Sequence, residues 1–306
     1  MRAVRYAEFG GIDVLRVEKL EHPVPRDGQV LVRVKTAGIN PSEAVIRTGA
    51  VAELFPSTFP SGQGSDLAGV VEEAGAGAGG FSPGDEVIGF TNNRASQADL
   101  VLVEAGDLTR KPEKVSWEVA GGLYVAGVTA WGAVHAVQLK EGETVVISGA
   151  AGGVGSIAVQ LARRTGATVI GLASESNHQW LKSHGVIPVA YGDGVADRIR
   201  AAAPTGVDAF IDTHGNGYVE LAFALGVAAD RIDTIADYPA AAKHGVKTDG
   251  GAEAWPGARV LAELAGLIAD GYLEVPIANV YRLAQVREAY TELERRHTHG
   301  KIVLRP

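Results

Sequence analysis

Residues 145–155 read Val-Val-Ile-Ser-Gly-Ala-Ala-Gly-Gly-Val-Gly, and no other stretch restricts the fold as much. Three β-favouring residues run into a glycine cluster. A helix-like segment follows at 156–164, with Ile157, Val159 and Leu161 among its apolar members. Strand, tight turn, helix is the layout that presents the amides of a helix N-terminus to a phosphate. The spacing is A-x-G-x-x-G at Ala150, Gly152 and Gly155, with alanine in place of the usual first glycine. Gly152 would let the backbone approach a pyrophosphate. Gly155 would let helix and strand pack closely. A glycine-rich turn without a ligand can show the same spacing, so the context has to carry the assignment.

Short apolar runs alternate with helix-like segments downstream. Strands are expected at 167–172, 186–190, 207–211 and 231–235, and helices at 177–184 and 197–203. That alternation of buried-looking strands with helices predicts βαβ units and a parallel, doubly wound sheet. The glycine turn then sits at the carboxyl end of the first strand, where such sheets bind nucleotides. An NAD site usually places an acidic residue about 20 positions later, on the ribose. Here the second strand runs into Ser174, whose hydroxyl adds no charge against a 2′-phosphate and can donate to it. Asn177 and Tyr191 offer further donors, so the expectation is NADP(H). A shift of one residue would instead bring Glu175 to that position. Ser174 also suits a plain helix N-cap.

Before this region the chain is β-rich. Strands are expected at 2–6, 14–19, 30–36, 69–74, 86–90 and 98–103, with Pro and Gly punctuation between them. Composition shifts near 112, where a helix-rich stretch through 116–131 begins. At the far end, 259–269 and 284–296 read as helices, and 280–283 and 301–304 as strands. The expected domains are a barrel-like unit at 1–115, a nucleotide domain at 116–270, and a return to the first domain at 271–306. At 306 residues the chain is long enough for two cores. Its net charge of −8 argues against general nucleic-acid or membrane-surface binding. It has no cysteine, which removes disulfides, thiolate metal sites and a cysteine nucleophile. No apolar run reaches a membrane span and the start lacks a signal-peptide core, so a cytoplasmic location is expected.

Several segments together resemble the zinc-free, quinone oxidoreductase-like branch of the medium-chain dehydrogenase/reductase superfamily. They are Gly-Ile-Asn-Pro at 38–41, 60–72, Phe-Ser-Pro-Gly-Asp-Glu-Val at 81–87, Ala-Gly-Val-Thr-Ala-Trp at 126–131, the 149–155 turn, and Gly-Lys-Ile-Val-Leu at 300–304. The resemblance implies an N-terminal chaperonin-10-like β-barrel, a Rossmann domain and a homodimer. It implies reduction of a quinone or an activated C=C bond by NADPH, a small electrophile being the partner and no metal taking part. By the same likeness Asn40 would contact substrate or nicotinamide, Thr129 would bond the nicotinamide amide, and Ala151, Gly152, Gly153, Val154 and Gly155 would hold the pyrophosphate. Ser174, Asn177 and Tyr191 would surround the 2′-phosphate, and Thr213, His214, Ile235 and Ala236 would line the cofactor. Val45, Glu43, Tyr124 and the 92–94 loop depart from the family pattern around the substrate, which keeps the substrate open.

Hydride transfer asks the protein to hold two carbons about 3–3.5 Å apart and to exclude water. Enone reduction places negative charge on a carbonyl oxygen, and a donor there lowers the barrier. Asn40 is the first candidate donor; the alternative is a loop asparagine that stabilises the turn before Pro41. Tyr124 is a second candidate, against packing as an ordinary aromatic. Glu43 and Asp66 are candidate acids, with structural acceptance from nearby loop amides as the preferred reading. A non-catalytic NADPH-binding sensor or partner subunit, and an enoyl reductase of secondary metabolism, are the competing readings.

Overall fold

The computed structural model describes residues 1–251 and 257–306. They form two compact units: Met1–Val125 with the chain from 257 onward, and the described residues from 126 to 251.

The first unit opens with β1 (Arg2–Tyr6), β2 (Arg16–Lys19) and β3 (Gln29–Gly38), followed by α1 (Pro41–Thr48) and β4 (Ser61–Gly62). Next come β5 (Asp66–Ala74), β6 (Glu86–Phe90), β7 (Leu100–Glu104) and β8 (Leu108–Arg110), then α2 (Trp117–Gly121) and the start of α3 (Tyr124–Ala136), which belongs to the second unit from Ala126 on. The strand β3 organises this unit. It pairs antiparallel with β5 along one edge and with β7 along the other. Its Val30, Leu31, Val32 and Val34 are buried, while Arg33 and Lys35 face solvent. Leu67, Val71, Val87, Val101 and Val103 complete that core.

The second unit alternates strand and helix as its sequence predicts. It contains β9 (Thr144–Ile147), α4 (Gly153–Arg164), β10 (Thr168–Ala173), α5 (His178–Ser183), β11 (Ile187–Ala190) and α6 (Val195–Ala202). It continues with β12 (Ala209–Asp212), α7 (Tyr218–Ala224), β13 (Ile232–Thr234) and α8 (Tyr238–His244). The sheet order is β11-β10-β9-β12-β13, all parallel. The order reverses beside β9, which is the switch point where such sheets bind ligands.

The chain closes with α9 (Gly257–Ala269), β14 (Ile277–Arg282), α10 (Val286–Glu294) and β15 (Lys301–Arg305), all in the first unit. β15 pairs with the end of β3 at Ala37 and Gly38. Two boundaries therefore differ from the shifts in composition. The first unit runs on to 125 because α2 packs on β3 and β5, and α9 joins it because it packs on β8 and β6. β14 starts three residues before the expected 280, because its parallel register with β15 extends back to Ile277.

Candidate functional site

The glycine turn has the form its spacing predicts. Gly149 lies at φ +57°, in the left-handed region. A Cβ on Gly155 would lie 2.1 Å from the carbonyl oxygen of Gly149, so only glycine permits this approach of α4 to the turn. Gly152 is the N-cap of α4 and supplies no side-chain cap. The first-turn amides at Gly153, Val154 and Gly155 thus follow the turn after β9 without a capping side chain. An anion at this end would satisfy them and the helix dipole. Backbone geometry and donor chemistry both fit a pyrophosphate.

Ser174 follows β10 directly. Its hydroxyl lies 3.0 Å from that of Ser176 and accepts from Asn177 Nδ2 at 3.0 Å. Ser174 is the N-cap residue of a short 3-10 turn, Glu175–Asn177, but its side chain makes no cap hydrogen bond. Two hydroxyls and an amide are gathered here without a buried charge. Glu175 is exposed, and so is Tyr191.

At the ends of β12 and β13 the sequence reading singled out Thr213, His214, Ile235 and Ala236. It missed the residue that holds all four. Asp212 is fully buried, and its Oδ1 accepts from Ser148 Oγ (2.6 Å) and from the amides of His214 and Gly215 (both 3.0 Å). Its Oδ2 accepts from Thr234 Oγ1 at 2.8 Å. The only signal in the sequence was an aspartate closing the apolar run Ala-Phe-Ile.

In the first unit, Asn40 is buried before α1 and its side chain is fully engaged. Nδ2 donates to Glu43 Oε1 (3.1 Å) and Asp66 Oδ2 (3.2 Å), while Oδ1 accepts from Lys301 Nζ. Both amide hydrogens expected to face a substrate oxygen are spent on carboxylates. Glu43 also accepts from the amides of Asn40 and Ser65, from Gln97 and from Tyr290. Burial is the largest influence on Glu43 and raises its pKa, against the lowering effect of Tyr290; nearby Asp66 raises it further. Asp66 is likewise raised by burial, opposed first by Lys301. Sequence reasoning missed Lys301 and Tyr290, which reach this cluster from β15 and α10.

Tyr124, the first residue of α3, stacks on Phe90 with ring centroids 4.6 Å apart. Its hydroxyl lies against Gly257, where a Cβ would come within 2.0 Å of it. Burial first, then Asp107 and Asp66, push its pKa up to about 12. The phenol therefore stays protonated: it can donate a hydrogen bond but gives up its proton reluctantly. Thr129 lies half-buried on α3. Among the described residues there is no cluster of three or more His, Asp or Glu able to hold a metal ion, and no helix is long and apolar enough to cross a membrane.

Two family models match: the alcohol dehydrogenase GroES-like domain over residues 26–113 and the zinc-binding dehydrogenase family over 185–304. Human quinone oxidoreductase is 37% identical over 183 residues, 58% of this chain and 54% of that protein. The matched stretch thus spans about half the length of such curated relatives. The solved quinone oxidoreductase of Coxiella burnetii superposes with a TM-score of 0.90 at 30% identity, covering 100% of this chain and 99% of that one. A mycobacterial protein solved in complex with NADPH superposes with a TM-score of 0.86 at 27% identity, covering 100% of each chain. Two successive domain matches and a full-length structural match leave one assignment: the chain belongs to the medium-chain dehydrogenase/reductase superfamily, in its quinone oxidoreductase-like branch.

Proposed function

We propose that this chain is an NADPH-dependent oxidoreductase that reduces a quinone or an activated C=C bond by hydride transfer, without zinc. The observation that carries the proposal is the turn at 149–155, whose uncapped helix amides lie at the switch point of a parallel sheet. The relatives named quinone oxidoreductase and the mycobacterial neighbour bound to NADPH support it. When bound, the nicotinamide supplies hydride to an electrophilic carbon.

The chain's own residues bind and orient. Ala151, Gly152, Gly153, Val154 and Gly155 hold the pyrophosphate. Ser174, Asn177 and Tyr191 receive the 2′-phosphate, because the hydroxyl and amide group after β10 adds no buried negative charge. Thr213, His214, Ile235 and Ala236 line the nicotinamide side, and Thr129 bonds the carboxamide. Tyr124 is the neutral donor to the oxygen that gains charge, its raised pKa keeping the proton in place. Asn40 fixes the start of α1 through its bonds to Glu43 and Asp66, and so acts on the substrate side indirectly. With no thiolate in the sequence, no metal is assigned to the reaction. A cytoplasmic homodimer is proposed on the family likeness.

The test is NADPH oxidation against a panel of quinones, enones and enals, with NADH in parallel. Substrate-dependent loss of dihydronicotinamide absorbance with one class is expected. Tight NADPH binding with no turnover across the panel would favour a sensor or partner subunit instead.

A further inference from the structure

The carboxylate of Asp212 lies at the meeting point of three strand ends. β9 contributes Ser148, β12 contributes Asp212 itself, and β13 contributes Thr234. A carboxylate only accepts, with about four lone-pair sites over its two oxygens. Oδ1 takes three here and Oδ2 one, all within 3.0 Å. Each bond passes its constraint onward. Ser148 Oγ, having donated to Asp212, accepts the amide of Thr213 at 2.9 Å. Thr234 Oγ1, having donated to Oδ2, accepts the amides of Ala236 (3.2 Å) and Asp237 (3.0 Å). The carbonyl of Asp212 accepts the amide of Ile235 at 3.0 Å. Thr213, His214, Ile235 and Ala236 therefore all take their backbone placement from one residue. None of these bonds reaches the Ser174–Asn177 group after β10.

We infer that Asp212 is a positioning residue for the nicotinamide half of the dinucleotide. The inference rests on the nucleotide reading proposed above. A doubly wound sheet holds a dinucleotide across its switch point, one half over the strands on each side. Here β10 lies on one side of β9, and β12 and β13 lie on the other. The carboxylate acts on the second side alone, so its removal should divide the ligand in two. Recognition of the adenosine end should survive while that of the nicotinamide end weakens.

Thr234→Val and Asp212→Asn test this with two probes. One is NADPH; the other is adenosine 2′,5′-bisphosphate, which lacks the nicotinamide. Valine keeps the shape of Thr234 but removes the hydroxyl that docks on Asp212. Asparagine places a second donor opposite Thr234 Oγ1, which already accepts two amides. Dissociation constants are read by fluorescence or calorimetry beside thermal unfolding of each variant. NADPH is expected to bind about tenfold or more weakly, the scale of a hydrogen bond or two. The bisphosphate should stay within about twofold of the unmodified protein. Thr234→Val carries the test alone if Asp212→Asn does not fold. Unchanged NADPH affinity overturns the inference, and so does an equal loss for both probes, which marks general damage to the sheet. If the unmodified protein binds neither probe, the nucleotide reading itself fails.

Discussion

At the scale of single residues, two side chains make separable predictions. In the proposed nucleotide site Ser174 stands where an acidic residue would repel a 2′-phosphate, and its hydroxyl sits with Ser176 and Asn177 in a group without a buried charge. Ser174→Asp adds a negative charge at that point. It is expected to cut the preference for NADPH over NADH by at least about tenfold, about 1.4 kcal/mol, with little change in NADH turnover. Paired kcat/KM values for the two nucleotides check this, and an unchanged ratio would remove Ser174 from the 2′-phosphate site. Asp233 is a different case. It is fully buried on β13, its Oδ1 accepts the amide of Gly250, and its Oδ2 has no hydrogen-bond partner. Burial pushes its pKa up to about 7, against the lowering effect of the Gly250 and Asp249 amides. The folded state thus holds a proton that the unfolded chain gives up near pH 4. Stability from this group is complete below pH 4 and is lost as pH rises through 7, at a total cost on the order of 4 kcal/mol. Asp233→Asn should flatten that dependence. Denaturant unfolding at pH 5 and pH 8 is the check, and parallel slopes for variant and parent would refute it.

At the scale of elements, the turn between β9 and α4 is a tight joint. Gly155→Ala would drive a Cβ into the Gly149 carbonyl, and that oxygen is backbone, so α4 itself must shift. The expected cost is about 1–3 kcal/mol of stability, with loss of most NADPH affinity. Thermal unfolding and a fluorescence titration measure the two together, and normal binding would show that α4 does not carry the phosphate. This joint was legible in the sequence because every part of it is local: three β-favouring residues, glycines at set spacing and an apolar helix face. The Asn40 cluster was not. Glu43 lies one helical turn from Asn40, but Lys301 comes 261 residues after Asn40 and Tyr290 comes 247 residues after Glu43. Nothing near Asn40 in the chain announces that its amide will be spent on carboxylates. The same holds for α9, whose apolar periodicity was plain while its partner, β8, was not. Periodicity reports that a helix has a buried face; it carries no information about what that face meets.

At the scale of the whole molecule, the two units differ in what they bring to the proposed reaction. The residues proposed to bind the nucleotide, 151–155, 174, 177, 191, 213, 214, 235 and 236, all fall in the unit between 126 and 251, which has its own core around Val146, Ile170, Phe210 and Ile232. The first unit has separate cores, one on β3 and one joining β1 to α10 and β15. A ligand stabilises only the states that keep its site, by about 2.7 kcal/mol at a hundred times its Kd. On the proposed placement, any opening that breaks the 126–251 sheet must first release NADPH, whereas an opening confined to the first unit need not. Saturating NADPH should therefore slow amide exchange in β9, β10 and β12 by up to about a hundredfold and leave β5 and β6 nearly unchanged. Equal slowing in both units would show that they open as one cooperative body. Exchange that NADPH alters nowhere would count against nucleotide binding altogether. The pattern of protection thus tests where the ligand sits without any assumption about the acceptor in the proposed reaction.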